Sequence, residues 1–287
     1  MNNESNMINL GEVSKPVTVL IEKISNAVGI IYEPTRIRRN ARAEADALKI
    51  RATAEVEMHD IQKRAIERLI GEEVKRQENI EAIIDKAIPE IKESAEPENI
   101  DQDWLMNFFD KAKLITTEEM QSLWSKVLSS ESNKPGSFSK RTVNFLSSLE
   151  KKDAELFTRL MSFSINLSPR RVFIYNEYDE EVKQCGILYS HLAHLETIGL
   201  IKYSSIGFSI NIMLDSIPIP YFEKLMFMDF PTDQLRNFDL GKVVLTETGL
   251  ELSRICYSIP NDTAIDYLLK KWQNMGYIIY SPYPKFL

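Results

Sequence analysis

Histidine and cysteine, the residues that most often carry acid–base chemistry or bind zinc, are rare in this sequence. The chain has 287 residues, among them three histidines and two cysteines. His191 and His194 lie three positions apart in a predicted helix, so both side chains can point to one face, and Cys185 precedes His191 by six positions. A zinc site needs three or four such ligands, and no fourth is evident. The pattern favours structural histidines, and we predict no metal site and no cofactor.

Sequence motifs for catalysis are missing as well. The chain contains no glycine-rich phosphate loop, no G-x-S-x-G nucleophile elbow and no H-E-x-x-H zinc motif. Its ten glycines are few for an enzyme that binds ligands through backbone amides. Scattered residues such as Asp110, Glu118 and His191 could still assemble a site, but the sequence singles out no catalytic residue. We therefore expect a protein that is not an enzyme.

Residues 13–32 form the first element that could bind a partner. Their apolar residues recur at spacings of three and four, which places them on one face of a helix. This face comprises Val17, Leu20, Ile21, Ile24, Val28 and Ile31. A basic cluster follows it, formed by Arg36, Arg38, Arg39 and Arg42. Anionic membrane surfaces attract an apolar helix face beside basic residues. The same face could also pack against another copy or against this chain, and the three alternatives remain open.

A long polar helix is predicted from Thr35 to about Ile91, because this stretch is rich in Ala, Glu, Arg, Lys and Ile and holds a single glycine. Apolar residues along it, among them Ile61, Ala65 and Leu69, mark a stripe. A charged helix of this length cannot bury its stripe alone and needs a partner helix. Another copy would make the protein a homo-oligomer with coiled-coil contacts; the alternative partner is the rest of this chain.

Three segments follow from these patterns. Residues 9–93 hold the two N-terminal helices, residues 101–165 a compact helical domain, and residues 170–287 an α+β module. In the module, helix Tyr189–Ile198 ends at Gly199, and strands Leu200–Ser204 and Phe208–Leu214 follow around a turn. This order is typical of a winged helix. We predict a mainly α fold with a smaller α+β C-terminal part: long N-terminal helices, a central helical bundle and a winged-helix-like C-terminal module.

Charge argues against nucleic-acid binding. Lys and Arg total 35 against 42 Asp and Glu, which gives a net charge of −7. The predicted recognition helix, Tyr189–Ile198, contains no Lys or Arg, whereas major-groove readers usually carry cations. Two cysteines fit a reducing compartment, and neither a signal peptide nor an apolar run of the roughly 18 residues that span a bilayer is visible. We expect a cytoplasmic protein, with peripheral contact to the inner membrane as an alternative.

The middle of the chain combines a Leu/Trp-bearing helix, a Pro/Gly/Ser turn and a helix that leads to an Asp-Ala start of the next one. The motifs are Glu118–Leu128, Gly136-Ser137-Phe138, Val143–Leu149, Asp153–Phe157, Gly199-Leu200-Ile201 and Leu245-Thr246-x-x-Gly249. They resemble the abortive-infection alpha proteins of bacteria, and the whole layout resembles a related uncharacterised bacterial domain-of-unknown-function family. This resemblance implies a role in phage defence and supplies no catalytic residues.

We therefore predict a non-enzymatic antiphage defence protein of the abortive-infection type, which acts through self-association, partner sensing or contact with a membrane surface. Its expected partners are further copies of itself and a second defence protein or a phage component. The alternative is a winged-helix regulator that binds nucleic acid, as the order of elements in residues 186–256 suggests.

Overall fold

The computed structural model describes residues 14–29, 60–230, 237–256 and 258–281. Its contacts divide the chain into two compact units, Met1–Ser147 and Ser148–Leu287. The described part of the first unit is helical, and the second unit combines helices with small antiparallel sheets. The predicted class, mainly α with a smaller α+β C-terminal part, is confirmed. The division falls inside the segment 101–165, because helix Lys151–Leu160 packs against elements of the second unit.

The helices of the first unit are, in chain order, α1 (Lys15–Val28), α2 (Asp60–Ala87), α3 (Gln102–Ala112), α4 (Glu118–Asn133) and α5 (Lys140–Leu146). Short 3-10 turns at Ile88–Glu90 and Pro97–Asn99 connect α2 to α3. Helix α2 ends just before Pro89, which has no backbone N–H to continue the helix. At the start of α3, Asp101 Oδ1 accepts a 2.8 Å hydrogen bond from the amide of Trp104.

The core of the first unit lies where α2, α3 and α4 meet. The Trp104 ring stacks on Phe108 with centroids 5.0 Å apart, and Phe108 contacts Trp124 of α4 at 5.0 Å. The second half of α2 adds Ile83 and Ile84, which have no exposed surface. Buried aromatic clusters of this kind dominate core energetics. They anchor α2 at its C-terminal end.

The first half of α2 is largely exposed. Ile61 is 72% exposed and Leu69 58%, whereas the apolar side chains Ile80, Ile83 and Ile84 are buried where α2 contacts α4 and α3. With 28 residues, α2 is about 42 Å long, and α4, with 16 residues, is about 24 Å long. Because α4 is so much shorter, it cannot cover the whole apolar stripe of α2. The predicted helix Thr35–Ile91 therefore corresponds to α2 in its second part, and residues 30–59 lie outside the described residues.

The elements of the second unit are, in chain order, α6 (Lys151–Leu160), β1 (Ser164–Ile165), β2 (Arg171–Val172), α7 (Glu180–Gln184), α8 (Tyr189–Thr197), β3 (Ile201–Asn211), β4 (Ser216–Tyr221), β5 (Lys224–Asp229), β6 (Asn237–Leu245), α9 (Glu247–Ser253), α10 (Asp262–Asn274) and β7 (Ile278–Tyr280). Strands β1 and β2 pair with each other, β3 pairs with β6, and β4, β5 and β7 form a three-stranded sheet. All of these pairs are antiparallel.

Strand β3 is one long strand with irregular pairing. The sequence predicts two strands, Leu200–Ser204 and Phe208–Leu214, with a turn between them. That prediction is wrong, because β3 runs through both and pairs with β6, with register shifts between Tyr203 and Phe208 and at Phe208/Ser209. A bulge bends a strand locally without ending it. The hairpin that the chain does form, β4–β5, lies further along.

Two glycine contacts tie the pieces of the second unit together. A Cβ at Gly241 would lie 2.5 Å from the carbonyl oxygen of Ile174, so the approach of residue 174 to β6 requires glycine. A Cβ at Gly249 would lie 2.1 Å from the carbonyl oxygen of Leu200. Thr246 fixes the same junction, since its Oγ1 donates to Gly199 O at 2.7 Å and caps α9 by accepting from the Gly249 amide at 3.0 Å.

Candidate functional site

An exposed group of aromatic and apolar side chains surrounds the start of α8. Tyr178 is 60% exposed, Leu188 44% and Tyr189 48%. The ring of Tyr189 meets the edge of Tyr203, with centroids 5.6 Å apart and an interplanar angle of 75°. Tyr178 directly follows Glu177, whose carboxylate accepts a 2.7 Å hydrogen bond from the Tyr203 hydroxyl, so residue 178 lies close to Tyr203. We call Tyr178, Leu188, Tyr189 and Tyr203 the tyrosine surface.

The local backbone holds the tyrosine surface in place. His191 Nδ1 accepts a 3.2 Å hydrogen bond from the Leu188 amide and so caps the start of α8. Further along the helix, Glu196 Oε1 accepts a 2.8 Å bond from the amide of Tyr203, which joins α8 to β3. The two tyrosines that touch therefore sit on elements that are hydrogen-bonded to each other. Side chains on such a support lose little conformational entropy when they bind a partner.

A buried carboxylate lies behind the surface. Glu177 accepts a 2.7 Å hydrogen bond from the Tyr203 hydroxyl and a 2.8 Å bond from Lys242 Nζ. Burial by itself would raise the pKa of the Glu177 carboxyl, but the bonds from Lys242 and Tyr203 outweigh burial, and the pKa lies below its ordinary value. Burial and the neighbouring carboxylate together raise the pKa of Tyr203 above its ordinary range. The tyrosine is therefore a neutral hydrogen-bond donor at neutral pH.

Exposed carboxylates lie in the helices beside this surface, and the exposed Lys202 directly precedes Tyr203. Helix α8 contains no Lys or Arg, and its carboxylate, Glu196, belongs to an exposed residue. In α7, Glu180 lies 3.8 Å from Lys183, a loose pair in which the Glu180 side chain is 71% exposed. Lys242, the cation nearest to Tyr203 in the contacts above, is already paired with Glu177. An aromatic surface with acidic neighbours is suited to bind a partner that carries Arg or Lys.

The apolar face predicted on the first helix packs inside the first unit. Val17, Leu20 and Ile24 are buried, and α1 contacts α3 and the turn Pro97–Asn99. Lys23 also donates a hydrogen bond to the Glu98 carbonyl oxygen. Ile21 and Val28 are partly exposed. The buried part of the face therefore packs within the chain, which is one of the three alternatives. Lipid or another copy could reach Val17, Leu20 and Ile24 only by displacing α3. Ile31 and the basic cluster Arg36, Arg38, Arg39 and Arg42 lie outside the described residues.

The histidine and cysteine side chains that the sequence singled out as possible metal ligands form hydrogen bonds with other residues of the chain. His194 Nε2 lies 2.7 Å from Asp153 Oδ1 of α6, and Cys185 Sγ donates to Asn261 Oδ1 at 3.6 Å. In the residues that the structure describes, no group of three or more His, Cys, Asp or Glu side chains could hold a metal ion. Among the scattered acids, Asp110 bonds Lys111 and Lys113, which lower the pKa of its carboxyl to about 2. His194, Cys185 and Asp110 therefore each have a partner within the chain.

The tyrosine surface was not evident from the sequence. Tyr178, Tyr189 and Tyr203 come from a loop, a helix and a strand, and Lys242, which pairs with the carboxylate behind them, lies a further 39 positions along the chain. The sequence signal was partial: it identified α8 as a helix without cations. The sequence did not reveal the pairing of β3 with β6, which brings Lys242 opposite this site.

Within the described ranges, no helix has the combination of length and apolar composition that crossing a bilayer requires.

Comparisons with known proteins match the chain to a protein family. No curated protein and no solved structure matches the chain. Residues 63–269 match the model of a family described as a protein of unknown function, DUF2806. The predicted resemblance to an uncharacterised family is thus confirmed, and the resemblance to abortive-infection alpha proteins stays a prediction. Because the match covers more than half of the chain, the protein belongs to the DUF2806 family.

Proposed function

We propose that this protein is a non-enzymatic interaction protein whose second unit binds a partner protein through the tyrosine surface. The observation that carries the proposal is the exposure of Tyr178, Leu188 and Tyr189 together on a hydrogen-bonded support. Tyrosine is enriched at the energetic centres of protein interfaces, and large exposed apolar groups in one place mark interaction sites. The acidic neighbours Glu180 and Glu196 favour a partner surface that carries Arg or Lys, which can also contact the tyrosine rings.

Nucleic-acid binding is the second candidate, and the order of elements favours it. Helices α6, α7 and α8 followed by the paired strands β3 and β6 resemble a winged helix with an inserted hairpin. The composition of α8 weighs against this reading, since a recognition helix without Lys or Arg has no cation for phosphates or guanines. A gel-shift assay at decreasing salt separates the candidates. Binding that strengthens as salt falls would favour the regulator; no binding at low salt would remove it.

Site-specific photo-cross-linking in cells tests the protein-binding proposal. A photoreactive residue replaces Tyr189 in one variant and Ile206, which is 96% exposed on β3, in the control. We expect a discrete protein adduct at position 189 that disappears when Tyr178→Ala is added and is absent at position 206. The cross-linked peptide of the partner should contain Lys or Arg. Equal adducts at both positions, or none at 189, would overturn the proposal.

The resemblance to abortive-infection proteins supports a cellular role for this interaction. We propose that the protein acts in phage defence and that the partner is a second defence protein or a phage component. We also propose that copies associate through the first half of α2, where Ile61 and Leu69 are exposed and α4 is too short to cover them. A second copy can supply the missing helix face. Membrane contact is not part of this proposal, because the buried part of the α1 face is already packed within the first unit.

A further inference from the structure

A pocket in the second unit carries a half-buried cation. It has a volume of about 290 Å³ and is lined by side chains from the segment around β1 and β2, from the β4–β5 turn and from the chain after α9, including Arg170, Phe222 and Ser258. A volume of this size lies at the lower end of the range for small-molecule sites. The pocket is separate from the tyrosine surface and shares none of its residues.

Arg170 has unused hydrogen-bonding capacity. Its guanidinium donates a 2.7 Å hydrogen bond to the carbonyl oxygen of Ser253 at the end of α9, and a guanidinium has five N–H donors. Among the residues that the structure describes, no carboxylate lies within salt-bridge distance of it. Burial lowers the pKa of the guanidinium, although Arg remains charged at neutral pH. A partly buried cation without a counter-charge favours the binding of an anion.

Ser258 provides a second polar group. Its Oγ is buried, yet it has no hydrogen-bond partner in the described part of the chain. A buried hydroxyl without a partner costs roughly 1–3 kcal/mol, so such groups in native proteins call for an explanation. Ser258 is also one of the residues that line the pocket, so a ligand bound there could supply the missing acceptor. A bound oxyanion would then accept from both Ser258 and Arg170.

Phe222 supplies an apolar wall under backbone strain. It has a φ of 51°, a left-handed conformation that non-glycine residues rarely adopt. Such strain costs of order 1–3 kcal/mol and clusters at ligand sites. Phe222 occupies the turn between β4 and β5, where glycine would be the easier choice. The aromatic residue at this position, unlike a glycine, places a ring at the pocket.

We propose that this pocket binds a small molecule with an oxyanion group, a carboxylate or a phosphate, whose oxygens contact Arg170 and whose body packs against Phe222. The charge of Arg170 selects the anion, and the ring of Phe222 favours a flat or apolar body. The pocket volume restricts the ligand to a small molecule.

Isothermal titration calorimetry on the full chain tests the proposal, with benzoate and inorganic phosphate as probes and chloride at equal ionic strength as the reference. Saturable benzoate binding would support a carboxylate ligand, and saturable phosphate binding a phosphate ligand. We expect Arg170→Gln to weaken binding by about tenfold or more, since a charge-assisted hydrogen bond contributes at least that factor. The matched control Arg171→Gln should change it less than about twofold. No saturable binding of either probe, or equal losses in the two variants, would overturn the proposal.

A second variant protects the test against a folding defect in Arg170→Gln. Phe222→Gly removes the ring while glycine adopts the left-handed conformation freely, so the variant should stay folded in a thermal melt while its benzoate binding weakens several-fold. A purely structural role of Phe222 would move the stability alone. Tighter or unchanged benzoate binding in this variant would contradict the assignment of the ring to the ligand.

Discussion

Gly249 illustrates how single residues set the tolerance of the second unit to substitution. The start of α9 approaches the backbone so closely that a Cβ at this position would lie 2.1 Å from the Leu200 carbonyl oxygen, which also accepts from the Thr246 amide at 3.1 Å. Two sequence motifs, Gly199-Leu200-Ile201 and Leu245-Thr246-x-x-Gly249, are thus two sides of one junction. Both motifs pack at this junction, which explains why their residues are not of the types that catalyse reactions.

Gly249→Ala should destabilise the protein by about 1–3 kcal/mol, because the backbone of the junction must move apart to admit a methyl group. Urea denaturation followed by circular dichroism measures the change. Gly71→Ala is the control, since a Cβ at Gly71 in α2 meets no described atom within 4 Å. That substitution should stabilise the helix by about 0.5–1 kcal/mol. Equal effects of the two changes would contradict the close approach at Gly249.

Glu177→Gln should destabilise the second unit by about 1–3 kcal/mol at neutral pH, because Lys242 loses its counter-charge and Tyr203 keeps a weaker acceptor. The folded-state pKa of Glu177 is lowered, so its contribution is present above the ordinary carboxyl pKa and is lost as pH falls through the folded value. Between about pH 7 and about pH 3, the difference between wild type and variant should stay constant down to the ordinary carboxyl pKa and should shrink below it.

Thermal melts across this pH range measure the Glu177 effect. Glu180→Gln serves as the matched control, because Glu180 is exposed and only loosely paired with Lys183 at 3.8 Å. It should change the melting temperature little at any pH. A gap between wild type and Glu177→Gln that stays constant down to acid pH would show that the pair with Lys242 does not contribute.

Helix α1 allows a direct test of whether its apolar face packs within the chain or contacts a membrane. Leu20 has no exposed surface, whereas Ile21 is partly exposed. Leu20→Ala should cost about 2–5 kcal/mol because it leaves a cavity against α3 and the Pro97–Asn99 turn. Ile21→Ala should cost about 1 kcal/mol or less. Vesicle co-sedimentation completes the measurement: loss of vesicle binding in Leu20→Ala at unchanged stability would reinstate this face as a membrane contact.

Helix α2 tests self-association. If copies associate through its exposed first half, Ile61→Gln with Leu69→Gln should lower the mass measured by light scattering toward that of one chain. The control is Lys63→Gln with Glu67→Gln, which lies about half a turn away on the same helix and should leave the mass unchanged. A wild-type protein with the mass of a single chain at all concentrations would end the assembly proposal.

Local signals predicted the helices well, because periodic apolar residues and caps lie close together in sequence. Gly199 ends α8 with a φ of 87°, as its position predicts. Helix α3 likewise begins at a local signal, because the side chain of Asp101 accepts from the Trp104 amide. The course of β3 through Tyr203 and Phe208 depends on a partner strand more than 30 residues away. Such non-local pairing leaves no local signature.

The candidate sites were harder to predict for the same reason. Arg170 and Ser258 line one pocket although 88 positions separate them, and the missing hydrogen-bond partner of Ser258 Oγ is a property of the folded surroundings. Composition could show that α8 lacks cations, but it could not bring Glu177 and Tyr203 together. Sequence patterns therefore showed that α8 contains no Lys or Arg, whereas the side chains that surround it depend on strand pairing in the folded chain.

At the scale of the whole molecule, defence activity and partner binding make a joint prediction. Bacterial cells that carry the intact gene should survive challenge by at least one phage of a panel better than cells without it. Tyr178→Ala with Tyr189→Ala should abolish that protection at equal protein levels, since removing two rings from the centre of an interface costs about 2 kcal/mol or more each. Ile206→Ala, which truncates an apolar side chain that is 96% exposed on β3, should retain it. Protection by the tyrosine variant at wild-type level would detach defence from the tyrosine surface. Absence of protection by the intact gene would refute the defence role while leaving the cross-linking result at position 189 to decide partner binding by itself.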